Sequence, residues 1–270
     1  MGEQEAIQRT SVPGTRESLA ADLKELGLGE GETVIVHTSL SSLGYVVGGG
    51  EAVIHALMDV LTPSGTLVMP TQSPQLSDPS HWENPPVPEE WWPVIRNHLP
   101  AYDPQVTPAF WMGKVADTFR TFPGVLRSDH PKLSLAAWGK EAGEVVADHG
   151  LAFSLGENSP LAKLYDRSAH VLLLGVGYES NTSFHLAEYQ VPGGKVIEEG
   201  APVMEKGRRV WKVYQDLDHQ TDLFPAIGEA FERTHPVQRG RVGLAESRLF
   251  GMREAVDFAV DWFTRKRSPC

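Results

Sequence analysis

The chain has 270 residues, 41% of them apolar and 9% aromatic, enough for one large domain or two small ones around a substantial core. Its 24 basic against 35 acidic residues give a formal charge of −11, which disfavours a nucleic-acid or anionic-membrane partner and would attract a cationic small molecule, although acidity also serves solubility alone. The single cysteine, Cys270, excludes internal disulfides and a thiolate metal cluster.

Met1-Gly2-Glu3-Gln4-Glu5 carries acid where a signal peptide needs base, and no run approaches the ~20 apolar residues of a membrane span, so a cytoplasmic location is expected. Residues 1–14 read as a lead-in. Thr15 then caps a helix whose Leu19, Leu23 and Leu26 share one face before Gly27 ends it. Thr33-Val34-Ile35-Val36-His37 reads as a buried strand, followed by a small-residue loop over 38–44. Val53, Ile54, Leu57, Met58 and Leu61 recur at helical spacing over 51–61, up to the stop Pro63-Ser64-Gly65. Thr66-Leu67-Val68-Met69 is the next strand. Strand, loop, helix and strand make a crossover unit, so the predicted fold class is α/β, with a mainly parallel central sheet flanked by helices.

Residues 73–107 break this pattern with eight prolines, three tryptophans (Trp82, Trp91, Trp92) and five acids (Asp78, Glu83, Glu89, Glu90, Asp103) against one base, Arg96. A long aromatic and acidic loop reads as a functional lid, or else as tryptophans covering a sheet edge. Thr107-Pro108 predicts a helix running to about Phe119. Arg127 to Ala137 is a loop into a strand, a helix lies near 139–148, and Ser159-Pro160 caps a short helix. After the buried strand Val171-Leu172-Leu173-Leu174 comes a helix with Asn181 or Thr182 as its N-cap. A hairpin turning at Lys206-Gly207 follows, then helices near 222–233 and 251–265 around a strand at 241–249.

On the helix after the buried strand, His185 and Glu188 are three apart and share a face, so the carboxylate can hold one ring nitrogen while the other is presented outward. That is the pattern of a general base with its orienter, and equally that of a hydrogen-bonded core histidine. Its place beyond a strand's carboxyl end favours function. Gly-x-Ser-x-Gly, Walker and His-Glu-x-x-His signatures are absent, and a zinc site would have to be assembled from distant segments.

Several co-linear blocks carry a resemblance: His37-Thr38-Ser39-Leu40-Ser41-Ser42-Leu43-Gly44, the glycines before Glu51, Arg127-Ser128-Asp129-His130-Pro131 with Ser134, Gly156-Glu157-Asn158-Ser159-Pro160-Leu161, and the stretch from Leu172 to Glu188. Together they resemble the aminoglycoside 3-N-acetyltransferase family over residues 15–265, which implies one α/β domain, distinct from GNAT acetyltransferases, with 73–107 as a substrate-loop insertion. The resemblance implies acetyl-CoA as co-substrate, no metal and a polycationic aminoglycoside acceptor. It implies His185, Glu188 and Thr71 as catalytic residues, with Ser39, Leu40, Ser41, Arg127, Ser128 and Ser134 toward the coenzyme. Asp78, Glu83, Glu89 and Glu90, with Trp82, are the candidates for the acceptor. With no cysteine in the core, transfer is expected to be direct, in a ternary complex. Other readings are a transferase acting on another amine, a hydrolase using Ser183 or Ser39 with His185 and Glu188, or a non-catalytic binding protein. A homodimer is compatible with the chain, which does not disclose its oligomeric state.

Overall fold

The computed structural model describes residues 3–267, so Met1, Gly2 and Cys270 lie outside the described residues. The expected lead-in begins with a short helix, α1 (Glu3–Arg9), whose Ala6 is buried. In α2 (Arg16–Glu25), Thr15 and Ser18 form a reciprocal capping box, and Leu19 and Leu23 face inward.

The centre of the fold is a seven-stranded sheet. β1 (Thr33–Thr38) leads through α3 (Gly49–Leu61) to β2 (Thr66–Pro70), which lies parallel to it, as the crossover pattern requires. The insertion contains α4 (Trp92–His98) and three short 3-10 turns, more ordered structure than its proline content led one to expect. α5 spans only Gly113–Phe119. The expected start at Thr107-Pro108 is not helical, because the Thr107 hydroxyl accepts the Asp103 amide and closes a separate turn.

β3 (Leu126–Arg127), β4 (Leu135–Gly139), α6 (Ala142–Val146) and α7 (Pro160–Asp166) precede β5 (His170–Leu174) and α8 (Phe184–Gln190). A long hairpin, β6 (Val196–Glu205) with β7 (Arg208–Leu217), forms its own two-stranded sheet. α9 (Phe224–Glu232), β8 (Gln238–Val242), β9 (Ala245–Gly251) and α10 (Met252–Arg267) complete the chain, so two paired strands stand where one was expected.

Strand order in the large sheet is β3-β4-β2-β1-β5-β9-β8. The central trio β2, β1 and β5 is parallel, and the strands added on either side run antiparallel. Alternation explains why β5 has no polar face. Val171 and Leu173 point into the layer of α7 to α10, while Leu172 and Leu174 point into the layer of α2, α3 and α5. Each such leucine withdrawn from water contributes roughly 1.5–3 kcal/mol.

The insertion is fastened to the hairpin. The Arg209 guanidinium donates to the carbonyls of Leu99, at 2.7 Å, and Arg96, and the Tyr102 amide donates to the Pro202 carbonyl at 3.1 Å.

Candidate active site

The parallel trio ends together, and chain leaves β1 and β5 on opposite faces of the sheet. That divergence opens a crevice at the carboxyl ends of neighbouring strands. A cleft of about 1050 Å³ occupies it, lined by the 37–41 segment, Gly48 to Gly50 at the start of α3, and His185. Gly175, just past β5, has φ +71, and a Cβ there would stand 2.6 Å from that of Ser42. Only glycine lets the two loops meet so closely, and the Ser39 amide, donating to the Leu174 carbonyl at 3.0 Å, joins the same two strand ends.

His185 and Glu188 meet as their spacing predicts: Nδ1 of His185 is 2.6 Å from Oε2 of Glu188. The other carboxylate oxygen accepts the Gln220 amide at 2.7 Å, and Glu188 is almost fully buried. With Nδ1 engaged, Nε2 is the ring nitrogen left for the cleft that His185 lines. The expected N-caps do not cap α8. Ser183 holds that position, and Asn181 instead accepts the Ser183 hydroxyl at 2.7 Å and its amide at 3.3 Å. This bond engages the hydroxyl of Ser183, which is fully buried and does not line the cleft.

Two further histidines adjoin the pair. His37 lines the cleft beside His185. Burial first, and the positive charge His185 can carry second, push its pKa down to about 3, so its imidazole is neutral. The ring of His219 lies 4.3 Å from that of His185, centroid to centroid, and burial lowers its pKa well below the ordinary value, helped by His185 and Lys132. Among the described residues, His185, Glu188 and His219 bring donor atoms within 4.8 Å of one another, the distant-segment grouping that spacing alone could not disclose. Within this group His185 Nδ1 bonds Glu188 Oε2, Glu188 Oε1 accepts the Gln220 amide, and His219 Nε2 lies 2.7 Å from the Tyr189 hydroxyl.

Of the residues expected to face the coenzyme, Ser39, Leu40 and Ser41 line the cleft. The hydroxyls of Ser39 and Ser42 are 2.9 Å apart. Arg127, Ser128 and Ser134 do not line it. The Arg127 guanidinium donates to the Thr107 carbonyl at 2.5 Å, the Thr71 carbonyl and hydroxyl, and the hydroxyls of Ser73 and Ser134. The Ser128 hydroxyl accepts the Leu135 amide at 2.9 Å and is 2.9 Å from His149 Nδ1. The block that the resemblance assigns to the coenzyme forms a buried brace between β2 and the 107 and 134 segments.

Thr71 belongs to this brace. It is fully buried, and the cleft is lined by its neighbours Pro70 and Gln72 instead. No residue of 73–107 lines the cleft either. Asp78 pairs with Arg96 at 2.7 Å, the Trp82 indole donates to Ser77 Oγ at 3.0 Å, and Glu83, Glu89 and Glu90 are exposed. The acids that do reach the cleft are Glu51 and Glu179.

The sequence reading also missed Lys114 and Trp111 at the cleft wall. Trp111 is 70% exposed and adopts φ +61, a conformation bulky residues seldom take outside functional sites. Its one available signal was the tryptophan itself, beside Gly113.

Among the described residues, no helix is long and apolar enough to cross a membrane. The family model described as aminoglycoside 3-N-acetyltransferase matches residues 35–264. The chain is 52% identical to the SPbeta prophage-derived aminoglycoside N(3')-acetyltransferase-like protein YokD of Bacillus subtilis, over 97% of each chain. The crystal structure of YokD superposes with a TM-score of 0.97 at 50% identity, covering 98% of this chain and all of that one. Aminoglycoside N(3)-acetyltransferase VII of Streptomyces paromomycinus is 37% identical, over 98% of this chain and 97% of the relative. AAC-IIIb in binary complex with CoASH is 32% identical, with a TM-score of 0.85 over 96% of this chain and all of that one. The chain belongs to the aminoglycoside 3-N-acetyltransferase family of acyltransferases.

Proposed function

We propose that this protein transfers the acetyl group of acetyl-CoA directly to the 3-amino group of the 2-deoxystreptamine ring of an aminoglycoside, within a ternary complex. The observation that carries this reading is His185, oriented through Nδ1 by the buried Glu188 and lining a cleft large enough for two substrates.

The coenzyme half of the cleft is the wall formed by Ser39, Leu40, Ser41 and the start of α3. Gly48, at the N-cap with φ +84, and Gly49, with φ +56, open a 13-residue helix; the Gly49 amide is taken by the Val46 carbonyl at 3.0 Å, and the amides after it, with the helix dipole, suit a diphosphate. Lys114 adds a cation to the same cleft. The related AAC-IIIb forms a binary complex with CoASH, which supports acetyl-CoA as the co-substrate.

In the reaction, the acceptor nitrogen attacks the thioester carbonyl carbon, the N–C bond forms, and the C–S bond breaks with its electron pair leaving on sulfur. His185 Nε2 takes the proton released by the attacking nitrogen and returns one to the thiolate. Glu188 stabilises the imidazolium between these events. Ser39 and Ser41, which line the same cleft, are the hydroxyl donors assigned to the charge developing on the carbonyl oxygen.

A thiol-release assay with acetyl-CoA against a panel of aminoglycosides and simple amines tests the proposal. Release that requires an aminoglycoside supports it. Release with simple amines alone assigns another acceptor, and acetylated protein forming in a burst before acceptor is added contradicts direct transfer.

A further inference from the structure

We propose that His219, held by Tyr189 and Asp216, is a positioning residue that fixes the ring plane of His185. This rests on the reading of His185 as the base.

The argument starts from Asp216, which is 2% exposed on β7. All its partners are donors: the Ser154 hydroxyl at 2.5 Å and amide at 3.3 Å, the Leu217 amide at 2.9 Å, and the Tyr189 hydroxyl at 2.5 Å. The single proton of Tyr189 therefore points at the carboxylate, and the phenol oxygen is left to accept. His219 Nε2 lies 2.7 Å from that oxygen, so the proton of the neutral His219 ring is on Nε2. Burial pushes the Tyr189 phenol far above its ordinary pKa, with Asp216 adding to it, so this proton stays in place across the working range.

A ring locked in this way is a fixed wall. The His185 ring touches His219 at 4.3 Å and Phe224 at 4.7 Å between centroids, with interplanar angles of 42° and 61°. The next residue, Gln220, donates its amide to Glu188. Two consecutive residues of the turn after β7 thus hold the two halves of the dyad, one by ring contact and one by hydrogen bond. The groups facing His219 are His185, Glu188 and Tyr189 from α8, Asp216 from β7 and Lys132 from the 128–134 loop, while His37 of β1 faces His185. A neutral His219 adds no positive charge beside His185 when that ring takes up its proton.

Steady-state kinetics and 15N-imidazole NMR on Tyr189→Phe, His219→Ala and His219→Gln test the proposal. Tyr189→Phe and His219→Ala should lower kcat about 10–100-fold, as loss of an outer partner does elsewhere, with the KM for acetyl-CoA unchanged. His219→Gln keeps an N–H for Tyr189 and should recover most of that loss. In the absence of substrates, NMR should report the Nε2–H tautomer of His219 in the native protein and tautomer exchange in Tyr189→Phe. Unchanged kcat in both disruptive variants overturns the proposal, as does a loss that His219→Gln fails to recover while the tautomer is unaltered. If the native protein acetylates no amine yet shows the expected tautomers, the transferase reading fails and the positioning arrangement stands.

Discussion

Nδ1 of His185 stands 2.6 Å from Oε2 of Glu188, one helical turn away, and this contact decides which ring nitrogen remains for chemistry. If Nε2 is the base, His185→Ala should lower turnover by about two to four orders of magnitude. Circular dichroism and a thermal melt would show that the variant is folded, and native rates would end the assignment.

Arg127 bridges five acceptors on three segments, so its replacement is a stability experiment. Arg127→Lys substitutes a point charge for a planar fork in a mostly buried site and should cost about 3–5 kcal/mol, read as a lower midpoint in urea. The KM for acetyl-CoA of the folded fraction should be unchanged. A raised KM at native stability would return Arg127 to the coenzyme site.

Burial holds His37 and His149 down at about 3 and His130 at about 4, and lowers His219 as well. The same side chains in the unfolded chain titrate near ~6.5, so below that pH the unfolded state binds more protons. Their contribution to stability is complete above about 6.5 and is lost as pH falls toward 4, at roughly 1.4 kcal/mol per group and pH unit. Melting temperature should therefore drop steeply between pH 6.5 and 4.5. A flat profile over that interval would mean that these rings are not held neutral.

Glu83, Glu89 and Glu90 are exposed and line no part of the cleft, so any influence on a polycation is exerted at a distance. Converting all three to Gln should raise the acceptor KM a few-fold at low salt, leave kcat alone, and lose its effect near physiological ionic strength, where the Debye length is about 8 Å. A change in kcat, or one that persists in high salt, would indicate direct contact instead.

Local order in the chain was enough to identify the parallel strands, their crossover helix and the His185–Glu188 pair, because each follows from periodicity within a few residues. It was also enough to indicate the family. The resemblance assigns Arg127, Ser128 and Ser134 to the coenzyme and Thr71 to the chemistry, whereas packing buries all four away from the cleft lining; an arginine with nearby hydroxyls is the same set of residues whether it meets a phosphate or closes a brace. His219, Tyr189 and Asp216 carry no local pattern at all. Tyr189 lies on the helix after β5, while the other two come from the hairpin and its following turn, so only tertiary packing joins them and sets the His219 ring 4.3 Å from that of His185. Hydrophobic alternation records which face of each element is covered, whereas a polar site is built by contacts between segments that alternation does not relate to one another.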